Sequence, residues 1–392
     1  MIYLDNASTT RIDDVVLRKM YPYLTEEYGN PGSLHYYGKK AKEAVNHARE
    51  QVASFLGASS DQIIFTSGGS EANNLAIKGL KNHLLDFGPT HIVVSATEHH
   101  STLEAIKDLL QYGFTYTVVY PDKAGIIRAK DVIAAMKDDT GFVSVMYVNN
   151  ETGAINEVQK IGRYCQENGM FFMVDCVQAA GNMRIDVDEL QCDFATVSSH
   201  KIHGPKGVGA LYSRDRGTYL SPLVNGGKEQ EFGLRGGTEN VAGIVGFGEA
   251  CERAGKNLLH DKYKLSNLKL LFYGELLERL KRYKISDCIH VNGNLCGSSP
   301  KVLSLMFDGV DAETLLMILD ELGVYVSAGS ACNSMEQVPS YVLKAMGLSD
   351  EQAQSTIRVS FSVMNSVEEV MDAAKIISSA VNKLKSGDMQ IV

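Results

Sequence analysis

An α/β chain, with a parallel sheet wrapped by helices and a second, smaller α/β unit behind it, is the fold class this sequence predicts. Three observations carry that reading. Between about residues 40 and 250, short β-rich runs alternate with amphipathic helical stretches, the pattern of a parallel sheet with crossover helices. From residue 241 to about 280, apolar residues recur at helical spacing and predict a long helix or helix pair that leaves the sheet. Beyond it, runs at 289–291, 302–306 and 324–326 read as strands alternating with helices that begin near Asp311 and Val367.

Taken in order, the strands of the first unit are Ile63–Thr66, 92–95, 142–147, Phe171–Asp175 and Phe194–Ser198, short apolar runs bounded by turn residues. Residues 103–110 and 158–168 read as helices between them. No internal repeat, low-complexity tract or long linker interrupts the chain, so the two units are expected to pack tightly around a shared cleft.

Composition narrows the function. With 44% apolar and 22% charged residues over 392 positions, disorder is excluded as the main state. The 47 acidic and 38 basic side chains leave a net charge of −9, so the whole chain offers no basic footprint for a nucleic-acid backbone. No run approaches the roughly 18 consecutive apolar residues of a spanning helix, and the first residues lack a basic region followed by an apolar core. A cytoplasmic protein acting on small molecules, without a membrane or nucleic-acid partner, is expected. The 7 cysteines are odd in number and form no Cys-x-x-Cys pair, which disfavours a disulfide framework and a zinc knuckle alike. Most sit in apolar runs as small hydrophobes. Cys332, within Ser327-Ala328-Gly329-Ser330-Ala331-Cys332-Asn333-Ser334, and Cys296, within Asn294-Leu295-Cys296-Gly297, stand instead on small, polar turns, leaving two candidate reactive thiols.

The strand ends carry the chemistry. Thr66-Ser67-Gly68-Gly69-Ser70-Glu71 is a strand, a glycine–serine turn and a helix start, where free backbone N–H groups suit a phosphate or simply form an N-capped turn. Asp175 ends an apolar strand; it either caps the following turn or stabilises a protonated ring nitrogen of a cofactor. Lys201, in Ser198-Ser199-His200-Lys201-Ile202-His203-Gly204-Pro205-Lys206-Gly207, is a candidate Schiff-base lysine made nucleophilic by partial desolvation, with Lys206 as its rival. His99 and His100, then Asn149 and Asn150, then Gln178 add polar groups after successive strands, which together suit one elongated, phosphorylated aromatic ligand.

Asp175 with Gln178, the Ser198-to-Gly207 segment, the opening Tyr3-Leu4-Asp5-Asn6-Ala7-Ser8-Thr9-Thr10, Gly29-Asn30-Pro31-Gly32-Ser33-Leu34-His35 and Ser330-Ala331-Cys332 resemble, in order and spacing, cysteine desulfurases of the NifS/IscS type. The resemblance covers nearly the whole chain. It implies fold type I of the pyridoxal-phosphate enzymes, with a mostly parallel seven-stranded sheet in a large domain (residues 15–260) and a small domain (1–14 and 261–392) carrying the cysteine loop. It makes Lys201 the lysine that binds pyridoxal 5'-phosphate covalently, Asp175 the partner of the pyridinium nitrogen, Gln178 that of the ring hydroxyl, and His99 the imidazole on the ring face. Gly69, Ser70, Ser198 and His200 would hold the phosphate. Asn150 would sit near the ring oxygen and the substrate carboxylate, and Arg358 would clamp that carboxylate. Thr238, in Gly236-Gly237-Thr238-Glu239-Asn240, resembles a threonine that reaches the neighbouring subunit's phosphate, so a homodimer follows.

The implied reaction takes sulfur from L-cysteine, leaving L-alanine and a persulfide on Cys332, with His99 as the base for the substrate thiol. Ser70 stands where many members have Thr and Ser199 where Gly or Ala is common, both compatible with the same hydrogen bonds. Housekeeping members often extend further, with a tail that contacts the iron–sulfur scaffold; this sequence stops at Val392, so the resemblance does not name the sulfur acceptor. An aminotransferase or selenocysteine lyase of the same fold would keep the cofactor residues, but transamination would have no use for a cysteine nucleophile. A silent sulfur-relay scaffold would have no use for Lys201, Asp175 and Arg358 together.

Overall fold

The computed structural model describes residues 1–328 and 338–387, so the expectation placed on Cys332 lies outside the described residues. The β-rich runs of the first unit assemble into a seven-stranded sheet in the order Ile63–Thr66, Gly209–Ser213, Phe194–Ser198, Phe171–Asp175, Thr140–Ser144, His91–Ser95, Thr115–Val119. Gly209–Ser213 runs opposite to the other six strands of this sheet. Five of the strands, among them Thr140–Ser144 and Phe194–Ser198, are buried along their whole length, as expected of a sheet covered by helices on both faces.

The strands expected at Ile63–Thr66, Phe171–Asp175 and Phe194–Ser198 fall where the sequence put them. The strand expected at 142–147 is Thr140–Ser144, although its backbone goes on bonding beyond the strand, Val145 N–H to Met173 O (3.2 Å) and Tyr147 N–H to Asp175 O (2.9 Å). Two strands were not anticipated. Thr115–Val119 is the sheet edge, mostly half-exposed and with few large apolar residues; Gly209–Ser213 opens on glycine. That glycine is needed: a Cβ there would stand 2.7 Å from Val197 O and 2.8 Å from Gly68 Cα, so the loop after the first strand can lie against this one only without a side chain.

The second unit holds an antiparallel sheet in the order Ser327–Ala328, Thr356–Ser360, Val302–Phe307, Ile289–Val291. The start of the chain belongs with it. Ile2–Tyr3 pairs in parallel with Val324–Tyr325, and Leu4 is fully buried in its core. Between the units runs Val241–Arg282, one helix of 42 residues rather than a pair, about 63 Å long at 1.5 Å per residue. The Asn240 side chain caps it by accepting from Gly243 N–H. Its first half buries Phe247, Ala250 and Cys251 against the large sheet, and its second half buries Leu265, Phe272 and Leu276 against the small one. Among the described residues no helix is long and apolar enough to cross a membrane.

Candidate active site

Strand order brings the carboxyl ends of Ile63–Thr66, His91–Ser95, Phe171–Asp175 and Phe194–Ser198 to one side of the sheet, where ligands of open α/β sheets collect. A cavity of about 380 Å³ lies there. Gly69, Ser70, His99, Asn150, Asp175, Gln178, Ser198, His200, Lys201 and Arg358 all line it. Thr238 does not; it is exposed in the loop before the long helix. Lys206 is exposed and outside the cavity, and Cys296 is an exposed free thiol outside it.

At one end, Gly68 has φ 154° and ψ −178°, a conformation left to glycine, and turns the chain from its strand into the helix Gly69–Phe87. The first N–H groups of that helix have no carbonyl within it to bond. A Cβ on Gly69 would come within 2.8 Å of Val177 Cγ2, itself in the cavity wall, so glycine keeps this end open. Asp175, 5% exposed, caps the turn that follows its strand and lines the cavity. Its Oδ1 accepts from Val177 N–H (2.9 Å), and its Oδ2 accepts from the Asn73 amide (2.9 Å).

Lys201 follows its strand by three residues, in a single turn of 3-10 helix. Its ammonium donates to the carbonyls of Ala7 and Ser8, both at 2.7 Å. The Gln178 amide nitrogen also donates to Ala7 O, and its Oε1 is buried without a partner. His200 sets its Nδ1 3.1 Å from Thr9 Oγ1; burial first, then Lys201, Lys301 and Lys206, push its pKa down to about 4, so it is neutral.

His99 caps the helix His100–Leu109. Its Nδ1 accepts from Ser101 N–H (3.1 Å) and lies 2.7 Å from Ser101 Oγ, which itself accepts from the Asn73 amide. Those bonds place the ring proton on Nε2. Burial lowers the His99 pKa, aided by Lys201 and His100 and opposed by Asp175.

Arg358 comes from the middle of the strand Thr356–Ser360 and is 3% exposed. Its Nη2 donates to Asp5 Oδ1 (2.8 Å) and Ser8 Oγ (2.6 Å), its Nη1 to Asn150 O (3.1 Å), and its Nε is buried and unpartnered. Asn150 Oδ1 is buried without a partner as well.

The sequence reading missed several groups. Asn73 ties Asp175 to Ser101; its place four residues into the helix after Gly69, on the same face, was the available signal. The carbonyls of Ala7 and Ser8 leave no mark in a residue pattern. Glu151 lines the cavity, bonds Ser340 and has its pKa raised by burial to about 7; Glu98, beside the cavity, is raised by burial to about 8. Tyr341 packs on His100 with ring centroids 4.6 Å apart and donates to Glu98 O (2.5 Å).

This donor set fits pyridoxal phosphate. A primary amine, a buried carboxylate, an unpartnered amide oxygen and a side-chain-free helix start face one cavity. The comparisons agree. The family described as Aminotransferase class-V matches residues 2–372. A "Cysteine desulfurase IscS" of Dictyoglomus turgidum is 40% identical over 385 residues, covering 98% of this chain and 95% of its own. A "Putative cysteine desulfurase IscS 1" of Bacillus subtilis is 42% identical over 384 residues, covering 98% and 99%. Among solved structures, a NifS-like protein superposes with a TM-score of 0.87 at 35% identity, over 96% of this chain and 98% of its own. Another, described as SspA in complex with cysteine, gives 0.79 at 34% identity over 92% and 99%. The fold-type-I expectation is borne out, and the chain belongs to the class-V aminotransferase family.

Proposed function

We propose that this chain is a cysteine desulfurase, which converts L-cysteine to L-alanine and passes the sulfur to Cys332 as a persulfide. A sulfur-acceptor protein in the cytoplasm, such as an iron–sulfur scaffold, would then take it. The observation that carries the reading is one cavity holding Lys201, Asp175 and Arg358 together, in a chain 40% identical to a cysteine desulfurase over nearly its full length.

Pyridoxal phosphate, when bound, supplies an electron sink for the pair released at the substrate Cα. Lys201 Nζ would hold the cofactor covalently at rest and, once released, would take the Cα proton. The Asp175 carboxylate, aligned by Asn73, would stabilise a ring N–H, and Gln178 would bind the ring hydroxyl. Gly69, Ser70, Ser198 and His200 hold the phosphate, His200 as a neutral donor rather than a charge. Arg358 and Asn150 orient the substrate carboxylate, the unpartnered Nε–H being the guanidinium group left for it. His99, neutral, exchanges a proton with the substrate thiol; because Ser101 fixes its Nδ1 as an acceptor, taking a proton at Nε2 requires the ring proton to move first to Nδ1. Thr238, exposed and outside its own chain's cavity, supports a homodimer in which it reaches the partner's phosphate.

In the transfer itself the Cys332 thiolate attacks the substrate sulfur, an S–S bond forms as the Cβ–S bond breaks with its electron pair left on carbon, and Cβ takes a proton to become the methyl of alanine; the thiol sulfur is oxidised to the persulfide as the carbon is reduced. Brief exposure to L-cysteine, followed by mass spectrometry of the peptides, tests it. The added sulfur is expected on the Cys332 peptide. Cys332→Ser should release no alanine, while Cys296→Ser should behave as the parent. Sulfur on Cys296, or full alanine production by Cys332→Ser, overturns the assignment and favours a lyase or transaminase.

A further inference from the structure

A second cavity, of about 280 Å³, lies behind Lys201, between the two units. The long helix forms one wall through Arg253, Asn257, His260 and Lys264. This is the stretch between Ala254, the last helix residue in the large core, and Leu265, the first in the small one. His203 and the turn at 180–182 form a second wall, and residues 361–363 a third. Lys301 reaches in from just before the strand Val302–Phe307.

Lys301 is 6% exposed, and its ammonium donates to Lys201 O (2.8 Å). Three N–H donors thus have one acceptor among the described residues, and no carboxylate pairs with it. Lys264, in the same wall, likewise has a backbone carbonyl, Val363 O, as its acceptor (2.6 Å). The two acids that line the cavity face groups of the same wall: Asp13 accepts from Arg253 (3.1 Å), and Asp261 lies 3.0 Å from His260 Nδ1. His203 adds no charge, since its Nδ1 lies 3.0 Å from Arg11 O, its Nε2 faces Ser362 Oγ at 3.3 Å, and burial followed by Lys301 lowers its pKa. In a chain of net charge −9, Lys201, Arg253, Lys264 and Lys301 line this cavity against two carboxylates, Asp13 and Asp261, an excess of basic groups.

We infer that this cavity is a binding site for a small oxyanion of the sulfate or phosphate class, held between Lys301 and Lys264 where the two units meet. The half-exposed Lys264 and the exposed His260 give an ion a way in, while Lys301 supplies the desolvated donors that make charge-assisted bonds strong. Burial, then Lys201 and Arg358, lower the Lys301 pKa to about 7, so an anion beside it draws a proton onto the amine.

Calorimetric titration of the holoenzyme with sodium sulfate, at ionic strength fixed with chloride, tests this; in the holoenzyme the cofactor fills the phosphate cradle. One saturable site is expected, several-fold weaker at about pH 8 than at about pH 6, with proton uptake at the higher pH, because burial favours the neutral amine and the ion binds the charged one. Lys301→Met should abolish the binding, and Lys264→Gln should weaken it several-fold, which keeps the test decisive if the first variant does not fold. Absence of saturable binding, sulfate affinity unchanged in both variants, or binding without proton uptake overturns the site and leaves Lys301 a neutral amine bonded to Lys201 alone.

Discussion

The two walls of the active-site cavity are built differently. On the large-unit wall, each group lies at or within a few residues of a strand end: Gly69 after Ile63–Thr66, His99 after His91–Ser95, Asp175 at the end of its strand, Lys201 after Phe194–Ser198. The facing wall joins the two ends of the chain. Arg358 sits inside a strand and meets Asp5 and Ser8, 353 and 350 positions away, while Ala7 and Ser8 accept from Lys201 through their backbone. One wall follows from strand order; the other depends on a long-range contact, and so its residues act as a unit.

The comparison is broken most directly at Lys201. Lys201→Ala is expected to fold but to hold no covalently attached cofactor, and to lose turnover on the order of a thousandfold or more. Intact-protein mass after borohydride treatment and the visible absorbance report it. An undiminished band would move the assignment to Lys206, which the structure leaves exposed.

Arg358→Lys probes the facing wall. The charge survives, but an ammonium cannot reach Asp5, Ser8 and Asn150 while keeping an in-plane N–H for a carboxylate. A loss of about 2 kcal/mol in transition-state binding is expected, roughly 30-fold in kcat/KM. Because the wall acts as a unit, Asp5→Asn and Arg358→Lys should be strongly non-additive in a double-mutant cycle. Additive losses would separate Asp5 from the site.

The difference between the walls also explains what the sequence made legible. Asp175 and Lys201 could be placed because a strand read as apolar and buried announces its own end, and in a parallel sheet those ends share one side. Arg358 could be placed only through the family resemblance; nothing local says that its partner is Asp5. The opening segment carried family motifs but no role, since it acts through the carbonyls of Ala7 and Ser8 and through side chains whose partners, Arg358 and His200, lie far along the chain. Gly209–Ser213 was missed as a strand for a related reason: its glycine is there for close backbone approach, a tertiary demand that weakens the local β signal.

Asn73 sharpens the large wall. It joins Asp175 to Ser101, and through Ser101 to His99, so Asn73→Ala should weaken both the carboxylate's alignment and the imidazole's. Losing one hydrogen bond to a charged group predicts about tenfold weaker cofactor retention, read by dialysis against free pyridoxal phosphate. Asn73→Asp, which sets a second carboxylate against Asp175, should be worse than alanine. Retention equal to the parent in both would leave Asp175 held by Val177 N–H alone.

The smallest effect expected concerns pH and stability. His200, on the large wall, has its pKa lowered to about 4 by burial first and then by Lys201, Lys301 and Lys206. An unfolded histidine takes a proton near pH 6.5, so between about pH 6.5 and about pH 4 the unfolded state binds a proton that the folded state refuses. Stability from this group is therefore present above the upper value and lost as pH falls through the window. Buried Glu98 and Glu151 act in the opposite sense: raised to about 8 and about 7, they retain protons in the folded state and favour it toward acid. The total curve mixes these contributions, so the test is a difference. The stability of the parent relative to His200→Gln should rise with pH across the His200 window and level off above it, as read by denaturant unfolding at successive pH values. A difference that is flat from acid to neutral would mean that His200 titrates as it does in the unfolded chain, and that neither its burial nor the neighbouring lysines act on it.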